Sequence, residues 1–377
     1  MDAFHLIAAG LWGGKDTPAV VADRPRLFVT LTAPSFGKVH LGPADNGALR
    51  QCHPRRRKGA TGCGHWHLKG DKVIGTPLDP ATYDYTSQVL FNAHAGLLWS
   101  RLTIATRRAL AKAAGLSYQD AHAQVRVVFA KVAEFQARGC VHYHAVVRLD
   151  GPDGPGSAPP AWATVEMLET AIRDAAGTVH LSSPDTATVA ARTMAWGRQL
   201  DIQYLPTADP DLSDVAIAKY VAKYATKAAE ATGVTVTPLF CQSCDGNGIR
   251  DSRDGETLLC RACSGTGRRP GITLAALSAH GRALVETCWH LGGIPAFAEL
   301  RLRRWAHQLG YRGHVTTKSP TYSTTFAALR GERASFNIAR HALSLGIDPD
   351  AHKLIVVGDW RYAGHPKPEL SCAGGRP

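Results

Sequence analysis

Two histidines stand two residues apart in the segment Val141–Val147. On a β-strand, side chains at this spacing point to the same face, so the imidazoles of His142 and His144 would lie side by side. Imidazoles bind divalent ions, and a carboxylate would suit such a site as a third ligand for Mg²⁺ or Mn²⁺. A hairpin with the preceding strand would bring Glu134 close to His142. The alternative is structural, because short His-x-His patterns arise by chance in a chain with 17 histidines.

A second group of candidate residues combines tyrosine with lysine. Tyr220 and Tyr224 are four residues apart and would be neighbours on one face of a helix. Lys223 and Lys227 fall on the same side. A tyrosine hydroxyl can attack a phosphodiester and form a covalent 5′-phosphotyrosine, while lysine stabilises charge on the phosphoryl oxygens. A second tyrosine would allow a second transfer. The alternative is an ordinary amphipathic helix with packed aromatic rings and a solvated basic edge.

Four cysteines form two Cys-x-x-Cys pairs, Cys241 with Cys244 and Cys260 with Cys263. This spacing is typical of a four-thiolate zinc site. Each pair continues as x-Gly-x-Gly, and glycine permits the tight turns that direct backbone amides at thiolate sulfur. The site would be a structural zinc module or a contact with DNA or another partner.

A less regular cluster of potential ligands precedes the first predicted long helix. Cys52, Cys63, His65 and His67 could bind a second zinc ion. The alternative is a basic loop beside DNA, because Arg55, Arg56, Arg57 and Lys58 lie within this stretch.

Positive charge predominates in the chain. Its 377 residues include 43 Lys and Arg against 31 Asp and Glu, a formal net charge of +12. This surplus favours nucleic acid as a partner. Besides residues 55–58, the plainest basic cluster is Arg301, Arg303 and Arg304, which could supply phosphate contacts. With no apolar run of 18 residues and no credible signal peptide, we expect a cytoplasmic protein with no membrane partner and reduced cysteines.

Hydrophobic patterning predicts the elements that would position these groups. Alternating apolar residues predict strands over 26–32, 125–134, 141–149 and about 200–205, with residues 136–139 as a hairpin turn. Helices are predicted over about 84–115, over 162–176, from Asp211 or Ser213 to about Ala231, and through most of the chain after Thr273.

These strands and helices predict a mixed α+β fold. We expect three parts: a domain over 1–235 that carries the histidine and tyrosine pairs, with a Cys/His-containing insertion at about 50–82, a zinc module over 236–270, and a helical C-terminal region over 271–377. The last region is a candidate DNA-binding domain.

The ordered motifs resemble those of the HUH endonucleases, the rolling-circle replication initiators. The resemblance rests on Phe28–Thr32, on the two-histidine strand and on Tyr220-x-x-Lys223-Tyr224. More narrowly, the chain is similar to replication initiators of actinobacterial plasmids and integrative elements over about 27–233 and 284–329. The phrases that carry this likeness include Tyr83–Tyr85, Ala130–Gln136 and Leu300–His307.

This resemblance implies an HUH endonuclease-like catalytic domain, an α+β fold with a central antiparallel sheet and flanking helices, with Mg²⁺ or Mn²⁺ at the histidine pair. Glu134 as the third ligand follows by analogy with viral relatives. The implied reaction is nicking and rejoining of single-stranded or hairpin origin DNA that is flanked by duplex. Both Tyr-x-x-Lys frames fit, so the first nucleophile stays open between Tyr220 and Tyr224. Relatives carry a Cys-x-x-Cys where this chain has residues 79–82, which counts against a complete second zinc site.

A replication initiator is the function that accounts for all of these motifs. Because the chain has no phosphate-binding loop of a helicase, unwinding is expected from a host helicase. An HUH transposase or mobilisation relaxase would use the same chemistry for another task. A non-catalytic, zinc-containing DNA-binding regulator would explain the charge and the cysteines but not the histidine and tyrosine pairs.

Overall fold

A computed structural model describes residues 2–14, 16–44, 46–54, 62–205, 237–252, 254–275 and 277–346. The chain divides into two compact units, Met1–Leu329 and Arg330–Pro377. The candidate tyrosine segment and the basic residues 55–58 lie outside the described residues. No helix in the described ranges is long and apolar enough to cross a membrane.

A five-stranded antiparallel sheet forms the centre of the first unit. Its strand order is β6-β1-β3-β2-β9. The strands are β1 (Arg26–Leu31), β2 (Arg126–Phe135), β3 (Val141–Asp150), β6 (Leu200–Tyr204) and β9 (Thr316–Lys318). Two small antiparallel pairs accompany it, β4 (His180–Ser182) with β5 (Thr193–Ala195) and β7 (Ile249–Asp251) with β8 (Thr257–Leu259).

Six α-helices are described, and several begin at side-chain caps that the sequence provides. They are α1 (Asp2–Trp12), α2 (Tyr85–Ala113), α3 (Tyr118–Gln124), α4 (Val165–Thr178), α5 (Ala279–Leu291) and α6 (Phe326–Ser344). Asp84 accepts a hydrogen bond from the backbone N–H of Ser87 at the start of α2 (2.9 Å). At its other end Gly115 takes a φ of +69°, which a glycine adopts without strain.

The two faces of the sheet have different surroundings. On one face, Leu27, Tyr143 and Phe135 belong to the large core that also contains the buried sides of α2, α4 and α5. On the other face, Phe28 and Val146 pack with Leu6 and Ile7 of α1 in a second buried cluster, which we call the α1 cluster. Alternation along the strands places Glu134, His142 and His144 on this second face, next to the α1 cluster.

The strands and long helix of the sheet region match the sequence predictions closely, and the mixed α+β class with a central antiparallel sheet is confirmed. The prediction for the C-terminal region was incomplete. In addition to the helices predicted after Thr273, residues 316–318 form a strand at the edge of β2, where Val132 pairs with Thr316. A three-residue strand has too little periodicity to be recognised, and it forms because β2 offers an edge of backbone donors and acceptors. The three-part domain division stays a prediction.

Candidate active site and metal centres

Glu134, His142 and His144 meet on one face of the β2–β3 hairpin. The strand register places Glu134 directly opposite His142, as the sequence predicted. Oε2 of Glu134 lies 2.6 Å from Nε2 of His142 and 3.1 Å from Nε2 of His144. The three groups could hold a metal ion, since one ligand atom from each lies within 4.8 Å of the others. We call this group the His–His–Glu triad.

Strand β1 orients one of the two histidines. Oγ1 of Thr30 lies 3.1 Å from Nδ1 of His144, and the ring of Phe28 stacks on the same imidazole at 5.8 Å between centroids. A proton on Nδ1 would be shared with Thr30 and would leave the Nε2 lone pair facing Glu134. Thr30 was not predicted to have this role. The signal was present in the Phe-x-Thr-Leu-Thr pattern, whose alternate residues share the face of the histidines.

The second histidine carries an unsatisfied polar atom. Nδ1 of His142 is buried and has no hydrogen-bond partner among the described residues. Burying a polar atom without a partner costs free energy, about 1–3 kcal/mol, and a further ligand at the site would remove this cost.

Hydrogen bonds made by Asn92 and Arg138 hold the turn of the hairpin in place. Asn92 of α2 donates to the carbonyls of Gly139 and Leu309 (both 2.9 Å) and accepts from the backbone N–H of Val141 (3.1 Å). Arg138 donates to the carbonyls of Pro34 (2.8 Å) and Ala33 (3.0 Å) at the end of β1. The core therefore sets the register that brings the triad together.

Gly139 is required at this turn for two reasons. Its φ is +80°, and a Cβ there would lie 2.9 Å from side-chain atoms of both Leu284 and Leu309. A side chain would therefore push the turn away from the helical core.

Four buried cysteines form a second candidate metal site. The sulfur atoms of Cys241 and Cys260 are 3.9 Å apart, and those of Cys244 and Cys263 are 3.7 Å apart. A tetrahedral zinc ion with Zn–S bonds of about 2.3 Å separates its ligands by about 3.8 Å. This four-cysteine module, residues 241–267, could therefore bind a metal such as zinc.

The two halves of the module are built alike. The backbone N–H of Gly248 donates to Sγ of Cys244, and that of Gly267 donates to Sγ of Cys263 (both 3.3 Å). Burial raises the pKa of the Cys263 thiol, but the amide of Gly267 and the neighbouring thiols lower it more, to about 7. At the equivalent Cys244, burial outweighs the amide of Gly248 and raises the pKa of the thiol to about 11, so the neighbouring thiols hold their protons unequally.

Two of the arginines predicted to contact DNA also make contacts with the four-cysteine module. Arg303 donates to the carbonyls of Trp289 (3.1 Å) and Gly246 (3.3 Å). Arg304 lies 3.4 Å from Oδ1 of Asp245. Arg301 is exposed in a left-handed backbone conformation (φ +47°). DNA contact by these three residues stays a prediction.

The Cys/His stretch before α2 also brings ligands together, with one change from the predicted set. The group consists of His40, Cys52, Cys63 and His67. His65 is exposed and lies outside it. His40 was missed because it is twelve residues from the nearest cysteine and carries no local spacing signal.

Comparison with known proteins identifies the family. A family model described as the replication initiator protein of pSAM2 (RepSA) matches residues 1–371. The chain belongs to this family of replication initiators. The match confirms the resemblance to actinobacterial replication initiators that the sequence analysis described.

One relative shows how far the similarity extends. A curated replication initiator protein from Streptomyces ambofaciens is 45% identical over 373 residues, which is 97% of this RepSA-family chain and 72% of that protein. No solved structure matches the chain.

Proposed function

We propose that this RepSA-family chain is an HUH-type, metal-dependent nickase that cuts and rejoins origin DNA during rolling-circle replication. The observation that carries the proposal is the convergence of Glu134, His142 and His144 on one face of a core-held hairpin. The family supplies the biological task, replication initiation, and the triad supplies a means of acting on a phosphodiester.

The donor set of the triad suits Mg²⁺ or Mn²⁺. Octahedral ions with bonds of about 2.1 Å place adjacent ligand atoms about 3 Å apart. The separations of 2.6 and 3.1 Å from Glu134 to the two imidazoles are close to this value. Three protein ligands would leave positions for phosphate oxygens and water. A bound ion would polarise the scissile phosphate and stabilise its developing negative charge.

The nucleophile in this proposal is the hydroxyl of Tyr220 or Tyr224. Its oxygen attacks phosphorus and forms the Tyr–O–P bond, the P–O3′ bond breaks, and the released strand ends in a 3′-hydroxyl. The reverse attack by a 3′-hydroxyl rejoins the DNA and frees the tyrosine. Lys223 and Lys227 would stabilise the phosphoryl oxygens.

The position of β6 supports delivery of the tyrosines to the triad. Strand β6 pairs with β1 and runs from the level of Leu31 to that of Leu27. Leu205, which follows it, is buried in the α1 cluster on the triad's face of the sheet. Thr30 lies three residues along β1 from Leu27, about 10 Å away. A helix over residues 211–231, as the sequence predicts, would have a length of about 30 Å, which exceeds this distance.

A basic groove at the turn end of the β2–β3 hairpin offers a path for single-stranded DNA. The groove has a volume of about 1140 Å³ and is lined by residues 33–35 after β1, by the hairpin turn 136–138 and by residues 197–199. Its charged lining residues are Arg50, Lys69, Arg138 and Arg198. Phosphate contacts of this kind supply most of the affinity for single strands.

The test uses the full chain, Mn²⁺ and labelled single strands that tile its own replicon. We expect a covalent adduct on a denaturing gel that is lost in His142→Ala and in the Tyr220→Phe/Tyr224→Phe double variant. The single tyrosine variants identify the first nucleophile. Tyr118→Phe is the matched control, because Tyr118 is exposed on α3 and should not change the adduct.

Two outcomes would replace the proposal. Tight, metal-independent binding without any adduct would favour a non-catalytic DNA-binding regulator. A nick that maps to a transfer origin or an element end would favour a relaxase or transposase. With the nick at a replication origin, adding a host helicase should extend unwinding from it.

A further inference from the structure

The irregular stretch between β1 and α2 brings four metal-binding side chains to one point. His40, Cys52, Cys63 and His67 each direct one ligand atom into a group whose members lie within 4.8 Å of one another. Cys52 and His67 are buried. The stretch contains little regular structure, so hydrophobic packing alone does not explain why these four residues converge.

The separations between the ligand atoms suit a tetrahedral zinc ion. Nδ1 of His40 lies 3.2 Å from Nε2 of His67, and Sγ of Cys63 lies 3.3 Å from the same nitrogen. Sγ of Cys52 lies 3.8 Å from Nδ1 of His40. With bonds of about 2.0 Å to nitrogen and 2.3 Å to sulfur, tetrahedral ligands are about 3.3–3.8 Å apart.

Hydrogen bonding around the group favours an ion over a purely protein network. Nδ1 of His67 lies 2.8 Å from Oδ2 of Asp71, a partner that places the ring proton on Nδ1. Nε2 of His67 then offers a single lone pair, while both His40 and Cys63 approach it. One proton can satisfy only one of these contacts, whereas an ion satisfies all of them.

The surroundings of the cysteines resemble those in the four-cysteine module. The backbone N–H of Leu41 donates to Sγ of Cys52 (3.2 Å), as glycine amides do in the module. The residue after each cysteine takes a left-handed conformation, with φ +44° at His53 and +73° at Gly64. Asp245 and Ser264 do the same after the second cysteine of each module pair.

We propose that His40, Cys52, Cys63 and His67 form a second zinc site, separate from the four-cysteine module. Two thiolates and two neutral imidazoles balance the charge of Zn²⁺, so the site can be buried without a net charge. Because Cys52 and Cys63 flank residues 53–62, the ion would close a ten-residue loop that contains Arg55, Arg56, Arg57 and Lys58. This inference does not depend on the proposed nickase activity.

The first experiment counts zinc per chain by mass spectrometry on the full-length protein. It is done in a His142→Ala/His144→Ala background, so that the triad does not contribute. We expect two zinc ions in this parent, one in Cys52→Ser/Cys63→Ser and one in Cys241→Ser/Cys244→Ser. His65→Ala is the matched control and should keep two, because His65 is an exposed histidine of the same stretch.

The second experiment stays informative if the Cys52→Ser/Cys63→Ser variant fails to fold. The chain without module thiolates, Cys241→Ser/Cys244→Ser/Cys260→Ser/Cys263→Ser, is loaded with Co²⁺, whose thiolate charge-transfer absorbance rises with the number of bound sulfurs. We expect a two-thiolate spectrum, and a further increase in His40→Cys, since a Cys₃His set also binds zinc.

Specific results would overturn the second site. A parent with a single zinc ion that disappears in Cys241→Ser/Cys244→Ser would do so. Unchanged zinc in Cys52→Ser/Cys63→Ser, or cobalt without thiolate absorbance in the second experiment, would do the same. None of these results affects the adduct test of the nickase proposal.

Discussion

The His–His–Glu triad and the four-cysteine module are both sets of metal-binding side chains, but they are assembled differently. The triad projects from one continuous hairpin whose turn is fixed by Asn92 and Arg138 within the main core. In the module, the buried hydrophobic cluster consists of the four cysteines themselves. Its strands β7 and β8 are three residues long and exposed.

This difference indicates which of the two sites is already folded in the absence of its metal ion. Sheet register and core packing position the triad, so an ion would add chemistry there without building the fold. The module has too little apolar surface to offset the entropy of ordering its chain, so its ion would supply folding free energy. Three measurements can break or sharpen this contrast.

Removal of zinc from the module should have the largest effect, and it should leave the β2–β3 hairpin folded. Structural zinc contributes apparent binding free energies of about 10–16 kcal/mol, so chelation or Cys241→Ser/Cys260→Ser should unfold residues 241–267. The backbone amides of the hairpin 126–150 should remain protected from hydrogen exchange. Hydrogen exchange of the two segments with and without chelator checks this expectation. Undiminished protection of residues 241–267 in zinc-free protein would show that the module folds without an ion.

A smaller effect is expected from Thr30→Val, which removes the hydroxyl beside Nδ1 of His144. Loss of such an orienting contact weakens metal binding by about 10–100-fold. We expect the Mn²⁺ concentration for half-maximal adduct formation to rise by that factor, with little change in the unfolding midpoint.

Thr32→Val is the matched control, because the hydroxyl of Thr32 donates to the carbonyl of Gln199 (2.5 Å) and not to a histidine. Equal Mn²⁺ requirements in the two variants would mean that the hydroxyl of Thr30 does not affect metal binding by the triad.

The smallest expected effect is a pH dependence of the free energy of unfolding. It arises from Lys131, which lies on the face of the sheet opposite the triad. Burial lowers the pKa of Lys131 from 10.5 to about 7. Between these values the unfolded chain binds a proton that the folded chain does not, so the free energy of unfolding rises with pH. The slope is at most about 1.4 kcal/mol per pH unit. The contacts of Lys131 with the His314 carbonyl (3.1 Å) and the Tyr143 ring (4.2 Å) favour its charged form and reduce this slope.

Urea unfolding of the wild type and Lys131→Met across this pH range is the measurement. The stability of the wild type relative to the variant should increase as pH rises from about 7 to about 10. Parallel curves would mean that Lys131 keeps its proton when buried, and that the sheet is less sensitive to pH than its burial indicates.

The local parts of the molecule were readable in the sequence. Period-two alternation with a Gly-containing turn predicted β2, β3 and their hairpin, and hence the meeting of Glu134 with His142. Cysteine spacing predicted the four-cysteine cluster. These predictions succeeded because the interacting residues lie close along the chain, where strand and turn geometry alone determine their distance.

Only the tertiary structure decided which distant residues meet. His40 joins Cys52, Cys63 and His67, Thr316 pairs with Val132, and Arg303 bridges α5 to the four-cysteine module. Such contacts leave no periodic signal, because they depend on how loops close and on which backbone groups need a partner. The sequence by itself determined the ligand types and the local hairpin geometry, while three-dimensional packing selected the partners.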